Sequence, residues 1–324
     1  MTEALLAARR EEVEVSVDLT GSTTTSDPTA QALDPHASLP RSGPYAGHLH
    51  FDETVAPVLR TDFDVAAYVR RGTARLEVDT AQLAGEPPLG EDLRLVLGVL
   101  QRLEASALAE SRAMLATSTG NEARITAFLA TWMVDRFWQS RALRDLLTGD
   151  HPTDRPEPLH RPRPMHALRR LHVDRLQPLL SPLWTGLGGE AVTAGHMARM
   201  AIQEASLQAA LATVSRRLSG EARRVVDVVV GRHDAAVDFF TAEAVARLTR
   251  SRREAATARL LLTLGSPLDG GGIIDPDLRA ALAVLGADPH DRAALRRARY
   301  EIARLLPGPD LPDLHLSSLP RSGV

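Results

Sequence analysis

The chain has 324 residues, of which 44% are hydrophobic, and a formal net charge of −3 at pH 7. This charge offers no basic excess for binding a nucleic acid. Every basic residue other than histidine is arginine, and the absence of lysine excludes Schiff-base catalysis and a P-loop lysine. Cysteine is also absent, which excludes disulfides, thiolate nucleophiles and zinc–thiolate sites.

The sequence indicates neither a membrane span nor a signal peptide. No apolar run approaches the ~18 residues that a span requires. The N-terminus does not place an apolar core after a basic start, as a signal peptide would. We therefore expect a cytoplasmic protein with no membrane span.

The composition predicts an all-α protein, because only 4% of residues are aromatic and the abundant Ala and Leu favour helix. Residues 1–48 are predicted to be a disordered tail, since their second half is rich in Thr, Ser, Pro and Gly. Residues 49–88 are predicted to form an extended or irregular arm. Within this segment, 63–71 fits a short helix, and 73–83 fits either a short strand or an irregular arm.

Four long helices are predicted within residues 89–265, from apolar residues that recur at helical spacing. The first covers 91–115 without a break, and the second ends near Gly149. The third and fourth cover 190–218 and 221–250, and a fifth covers 252–264. Residues 266–324 are predicted to be a C-terminal helical extension and tail, with helices over 277–285 and 291–306.

The second and third helices are separated by a long crossover. Five prolines in residues 151–164 forbid a continuous helix there, and a short helix fits 165–177. The chain therefore has two helices, a long crossover and then two more helices. This is the order of elements in ferritin-like folds. The predicted fold is therefore an all-α, ferritin-like four-helix bundle with one long crossover and additional C-terminal helices.

Four short motifs lie on the inward faces of these helices. They are RLEAS around Glu104, DRFWQ from Asp135 to Gln139, Gln203-Glu204 and VVGRHD from Val229 to Asp234. In this order, residues 91–265 resemble acyl-carrier-protein desaturases and the small subunits of ribonucleotide reductase. Those proteins hold two irons with one Glu from each of two helices and a Glu-x-x-His from each of the other two.

The resemblance implies six metal-ligand positions, of which three keep a ligand residue. The six are Glu104, Arg136, Gln139, Glu204, Val230 and His233. A guanidinium cannot bind iron, and its fixed positive charge repels a cation. The resemblance therefore implies a bundle that has lost its di-iron centre and has no cofactor. An iron site rebuilt from Glu104, Asp135, Glu204 and His233 is the alternative.

The sequence also suggests what replaced the metal. Glu104 and Glu204 lie on apolar stripes, where an isolated carboxylate is unfavourable by several kcal/mol. We predict that Arg136 pairs with Glu204, and with Glu104 as a second partner, in place of the metal. His233, which follows Val226 and Val230 on the fourth helix, is interpreted as a hydrogen-bonded core histidine.

Other candidate groups have weaker signals. His48 and His50 form a His-x-His pair that we interpret as incidental, with a metal clip as the alternative. Three histidines of the crossover lie among arginines in a solvated basic loop that could also bind an anion; they are His160, His166 and His172. A cluster of three aromatic residues on the second helix is predicted to be core rather than a cofactor site; they are Trp132, Phe137 and Trp138.

Three functions remain open from the sequence. The first is a non-catalytic relative of the di-iron oxidases that binds a partner or ligand, with a homodimer as one form. The second is an oxygen-dependent, desaturase-like oxidoreductase with a divergent iron site. The third is a metal-free protein that binds a small molecule or an acyl chain in the former metal cavity.

Overall fold

The computed structural model describes residues 59–149 except residue 73, residue 189, and residues 191–264, 275–309 and 311. These residues belong to one structural unit, Val58–Val324. Every regular element within the described ranges is a helix, as the composition predicted, and none of these helices is both long and apolar enough to cross a membrane. The predicted tail, the crossover and its short helix lie outside the described residues.

The helices follow the predicted order closely. They are α1 Val65–Arg71, α2 Thr80–Ala84, α3 Glu91–Glu104, α4 Ala107–Leu115, α5 Ala123–Thr148, α6 Ala191–Ser215, α7 Gly220–Arg250, α8 Arg252–Leu264, α9 Asp275–Leu285 and α10 Pro289–Ala303. A 3-10 turn, Ser118–Asn121, links α4 to α5. One predicted boundary is wrong, because the first long helix is broken into α3 and α4 at residues 105–106.

Four helices, α3, α5, α6 and α7, surround a common core and are called the central helices below. α3 packs against α5 and α6, and α7 packs against the same two helices. The later helices cover this group from outside: α8 contacts α6 and α7, α9 contacts α3, and α10 contacts α6. Buried residues of all four central helices therefore contribute to the core.

The core consists of two apolar clusters at successive levels of the central helices. The first contains the aromatic side chains and methionines, including Phe128, Trp132, Met200, Phe239 and Phe240. The second contains mainly leucine and valine, including Leu100, Leu143, Leu211, Val226 and Val229. On α5, α6 and α7, one short stretch separates the two clusters. The second cluster ends on α3 at Leu103, and the first begins at Ala107 of α4. The candidate site lies at these four places.

The arm that precedes α3 adds to the first cluster. Phe63 packs edge-on against Phe128 and Phe239, and Tyr68 of α1 stacks on Phe128 with ring centroids 4.7 Å apart. The short helix predicted over 63–71 is thus confirmed as α1. Of the two forms predicted for 73–83, the short strand is wrong, since 74–79 are irregular and α2 follows: the Asp79 side chain accepts the Gln82 N–H at 2.9 Å, capping α2.

Gly220 begins α7 with a φ of 57°, a conformation that favours glycine. A Cβ atom there would lie 2.1 Å from Oε1 of Glu86, the oxygen that accepts the Glu221 N–H at 2.6 Å. Gly220→Ala should therefore lower the free energy of unfolding by about 2–3 kcal/mol, through backbone strain and loss of this hydrogen bond. Urea unfolding measures the change.

Gly85 provides a matched control, because it precedes Glu86 and has an ordinary helical conformation with φ −84°. Gly85→Ala should change the free energy of unfolding by no more than about 0.5 kcal/mol. Equal effects of the two substitutions would show that the contact between Glu86 and α7 does not stabilise the fold.

Candidate functional site

Each central helix contributes one charged or titratable side chain to a layer between the two apolar clusters. Glu104 ends α3, Arg136 lies on α5, Glu204 on α6 and His233 on α7. Their side chains are at most 1% exposed. We call these four residues the ion quartet. The sequence positions agree with the packing. On each helix, the quartet member lies only a few residues from a residue of one of the apolar clusters.

The quartet is a closed ring of contacts. Arg136 Nη1 donates to Glu204 Oε1 at 2.6 Å, and Arg136 Nε lies 2.6 Å from Glu104 Oε2. The N–H of Nε does not point at that oxygen, so the second contact is an ion pair without an aligned hydrogen bond. His233 closes the ring through Nδ1 to Glu204 Oε2 at 2.8 Å and Nε2 to Glu104 Oε1 at 2.7 Å.

The predicted pairing of Arg136 with Glu204, and with Glu104 as second partner, is thereby confirmed. His233 is also a hydrogen-bonded core histidine, as predicted. All four carboxylate oxygens of the quartet contact a nitrogen of Arg136 or His233. Every oxygen of these two carboxylates therefore has a cationic neighbour.

The break between α3 and α4 supplies a further acceptor to Arg136. Its Nη2 donates to the Leu103 carbonyl oxygen at 2.7 Å. The same oxygen accepts from the Ser106 hydroxyl at 2.7 Å and from the Ser106 N–H at 3.2 Å. In a continuous helix, this carbonyl would accept the N–H of Ala107 four residues on. The predicted unbroken helix over 91–115 fails here because tertiary and side-chain donors take the carbonyl.

Both ring nitrogens of His233 face carboxylate oxygens. An ionised carboxylate only accepts hydrogen bonds, so two N–H groups on the ring satisfy both contacts and the ring is an imidazolium. Burial alone lowers the pKa of His233, but the charges and hydrogen bonds of Glu104 and Glu204 outweigh it and raise the pKa to about 9. The ring therefore carries a positive charge at pH 7.

The other charges agree with this assignment. Burial alone would raise the pKa of Glu204, but Arg136 and His233 hold it below its ordinary value. Burial alone would lower the pKa of Arg136, but the two carboxylates raise it above its ordinary value. With two carboxylates and two cations, the quartet is neutral overall at pH 7 and needs no additional counterion.

The remaining predicted positions do not join the quartet. Gln139 is buried one turn beyond Arg136, and its side-chain oxygen has no hydrogen-bond partner. Val230 packs against the second apolar cluster, one turn before His233. Asp135 accepts the Tyr68 hydroxyl at 2.6 Å, and burial raises its pKa despite that bond and two nearby arginines. His48, His50 and the crossover histidines lie outside the described residues.

The residues present do not fit a di-iron centre. The Arg136 guanidinium contacts both carboxylates, which a metal pair would need as its ligands. In the alternative set, Asp135 pairs with Tyr68 and does not contact Glu104, Glu204 or His233. Among the described residues, no group of three or more His, Asp or Glu side chains is arranged to hold a metal ion.

A second buried network was not predicted. Arg124 donates to Glu243 at 3.1 Å and to Thr61 at 2.6 Å, and Arg247 donates to Glu122 at 2.7 Å and to Glu243 at 3.0 Å. The one local signal was the spacing of Glu243 and Arg247, which are four residues apart on α7. This network holds the arm at residue 61 against α5 and α7.

No protein-family model, no curated protein and no solved structure matches this chain.

Proposed function

We propose that this protein is a non-catalytic, metal-free binding protein built on a ferritin-like four-helix bundle, in which the ion quartet takes the place of a di-iron centre. The observation that carries the proposal is the pairing of every carboxylate oxygen of Glu104 and Glu204 with Arg136 or His233. An iron ion would have to displace a guanidinium and a protonated imidazole to reach these oxygens.

Two features support the bundle as a relative of di-iron proteins. The motifs that carry the resemblance lie on four different helices, and one residue from each meets the others in a single layer. Of the six implied ligand positions, Gln139 and Val230 lie one helical turn from a quartet member. The quartet thus occupies the level of the helices where the resemblance expects metal ligands.

Metal content tests this proposal. Protein purified from iron-supplemented cells should contain far less than one iron per chain by elemental analysis. Restoring the implied ligands with Arg136→Glu, Gln139→His and Val230→Glu should create a site that binds about two irons per chain. Iron should also stabilise this variant against urea, since a ligand that binds only the folded state raises the free energy of unfolding.

The control places the same Glu-x-x-His spacing on the outer side of α5, by Arg141→Glu with Arg144→His. These side chains are 36% and 28% exposed, and the variant should bind no stoichiometric iron. About two irons per chain in the unaltered protein would overturn the proposal and favour an oxygen-activating enzyme. Absence of iron from the restored variant would show that the bundle is not a relative of the di-iron proteins.

A further inference from the structure

An apolar groove of about 500 Å³ lies on the outer side of α4 and α5. Its apolar walls include Leu108 of α4 and Val134 and Phe137 of α5, which are 46%, 46% and 56% exposed, together with Trp138. Glu104 and Ala105 also line it, so the break between α3 and α4 forms part of its surface. Phe137 was predicted to be core and is instead one of the most exposed large apolar side chains among the described residues.

Two arginines line the same groove, one and two helical turns beyond its aromatic residues. The Nε atoms of Arg141 and Arg144 are buried and donate no hydrogen bond. Among the described residues, their carboxylate partner is Asp145, which lies 3.7 and 3.9 Å from these two atoms, beyond hydrogen-bonding distance. Two guanidinium groups thus share one carboxylate and leave a net positive charge beside the apolar walls.

The groove has the dimensions of an extended alkyl chain. Along α5 it runs from Met133 to Arg144, which at 1.5 Å per residue is about 16 Å. Apolar walls and convergent polar groups at one point are the usual features of a small-molecule site. An exposed apolar patch of this kind on a folded protein commonly marks a binding surface.

We propose that this groove binds a medium-chain fatty acid, or another alkyl carboxylate, as a single molecule. The alkyl chain packs against Leu108, Phe137 and Trp138, and the carboxylate accepts hydrogen bonds from Arg141 and Arg144. This inference rests on the proposed role as a binding protein and specifies its ligand. The site borders the ion quartet at Glu104, whose carboxylate oxygens contact Arg136 and His233, and its carboxylate-binding end lies at Arg141 and Arg144.

The test is titration of the full chain with dodecanoate, dodecanol and dodecylammonium below their micelle concentrations, followed by tryptophan fluorescence. Trp138 lines the groove, so the signal should change on binding and be lost in Trp138→Phe. Dodecanoate should bind tightest and dodecylammonium weakest. The double variant Arg141→Gln and Arg144→Gln should bind dodecanoate at least tenfold more weakly and dodecanol unchanged.

Two further variants complete the design. Phe137→Asp, at an exposed position, should abolish binding of both dodecanoate and dodecanol. Arg223→Gln removes an arginine that is 57% exposed on α7 and does not line the groove, and it should bind dodecanoate like the parent. Equal affinity for dodecanoate and dodecylammonium, or no response to either, would overturn the inference.

Other occupants give different results. Sedimentation velocity that shows a dimer dissolved by Phe137→Asp, without dodecanoate binding, would assign the groove to a second copy of the chain. Binding to phosphatidylglycerol vesicles that depends on Arg141 and Arg144, without binding of monomeric dodecanoate, would assign it to a membrane surface. Either result overturns the inference, while metal content decides the proposed function independently.

Discussion

Replacing Arg136 with alanine should lower the free energy of unfolding by about 3–5 kcal/mol at pH 7. The substitution leaves Glu104 and Glu204 fully buried with His233 as their remaining partner, so one negative charge has no counterion. It also leaves the Leu103 carbonyl without the donor from α5. Urea unfolding followed by circular dichroism measures the loss, because the midpoint falls with stability.

Two controls separate the ion pairing from loss of packing. Arg223→Ala removes an exposed arginine from a surface pair on α7 and should change stability by less than about 0.5 kcal/mol. Replacing the whole quartet by Glu104→Leu, Arg136→Met, Glu204→Leu and His233→Leu should leave stability equal or higher, since no charge is then buried in this layer. If the free energy of unfolding of Arg136→Ala lies within about 1 kcal/mol of that of the parent, the quartet does not hold the central helices together.

The stability of the protein should fall by about 3 kcal/mol as pH rises from about 6.5 to above 9, because of His233. The pKa of His233 is about 9 in the folded chain, against about 6.5 for an unfolded histidine. A group whose pKa is raised by folding contributes its full stabilisation at any pH below its pKa in the unfolded chain. This stabilisation is lost as the pH rises through its pKa in the folded chain. Free energies of unfolding measured from pH 6 to pH 10 should show this decline.

The composition makes this pH range unusually clear to interpret. The chain has no lysine and no cysteine, so neither residue type titrates between pH 7 and pH 10. His196 is buried with a pKa lowered to about 4, and its effect appears on the acid side, as pH falls from about 6.5. His233→Gln should remove most of the alkaline decline. A flat profile from pH 7 to pH 9.5 in the parent would mean that His233 is neutral in the folded protein.

The sequence predicted the pairs of Arg136 with the two glutamates, because carboxylates on apolar stripes are conspicuous, but it did not predict that His233 contacts both glutamates. Glu104 and Glu204 each lie among leucines and methionines at helical spacing, and Arg136 lies on the face of α5 that Trp132 defines. These local patterns identify the buried face of each helix. The resemblance then indicated which residues share one level, and the distances agree with that indication.

The features that the sequence did not predict depend on contacts between distant residues. The segment that contains Ala105 and Ser106 consists of residues compatible with helix, so no local signal marks the break that Arg136 stabilises from 33 residues away. Phe137 was predicted to be core from its residue type, although it is adjacent to Arg136 and therefore on a different face of α5. The Tyr68–Asp135 bond joins residues 67 positions apart, for which one sequence offers no signal.

Because the quartet has one member on each central helix, we expect it to assemble late in folding. Glu104 and His233 are 129 residues apart, so their contact forms only after long loops have closed. A partly assembled quartet would leave an unpaired charge in apolar surroundings, which is unfavourable. We therefore expect this layer to stay hydrated until all four helices have docked. Interactions made after the transition state slow unfolding more than they accelerate folding. We therefore expect the quartet to lengthen the lifetime of the folded state by slowing unfolding.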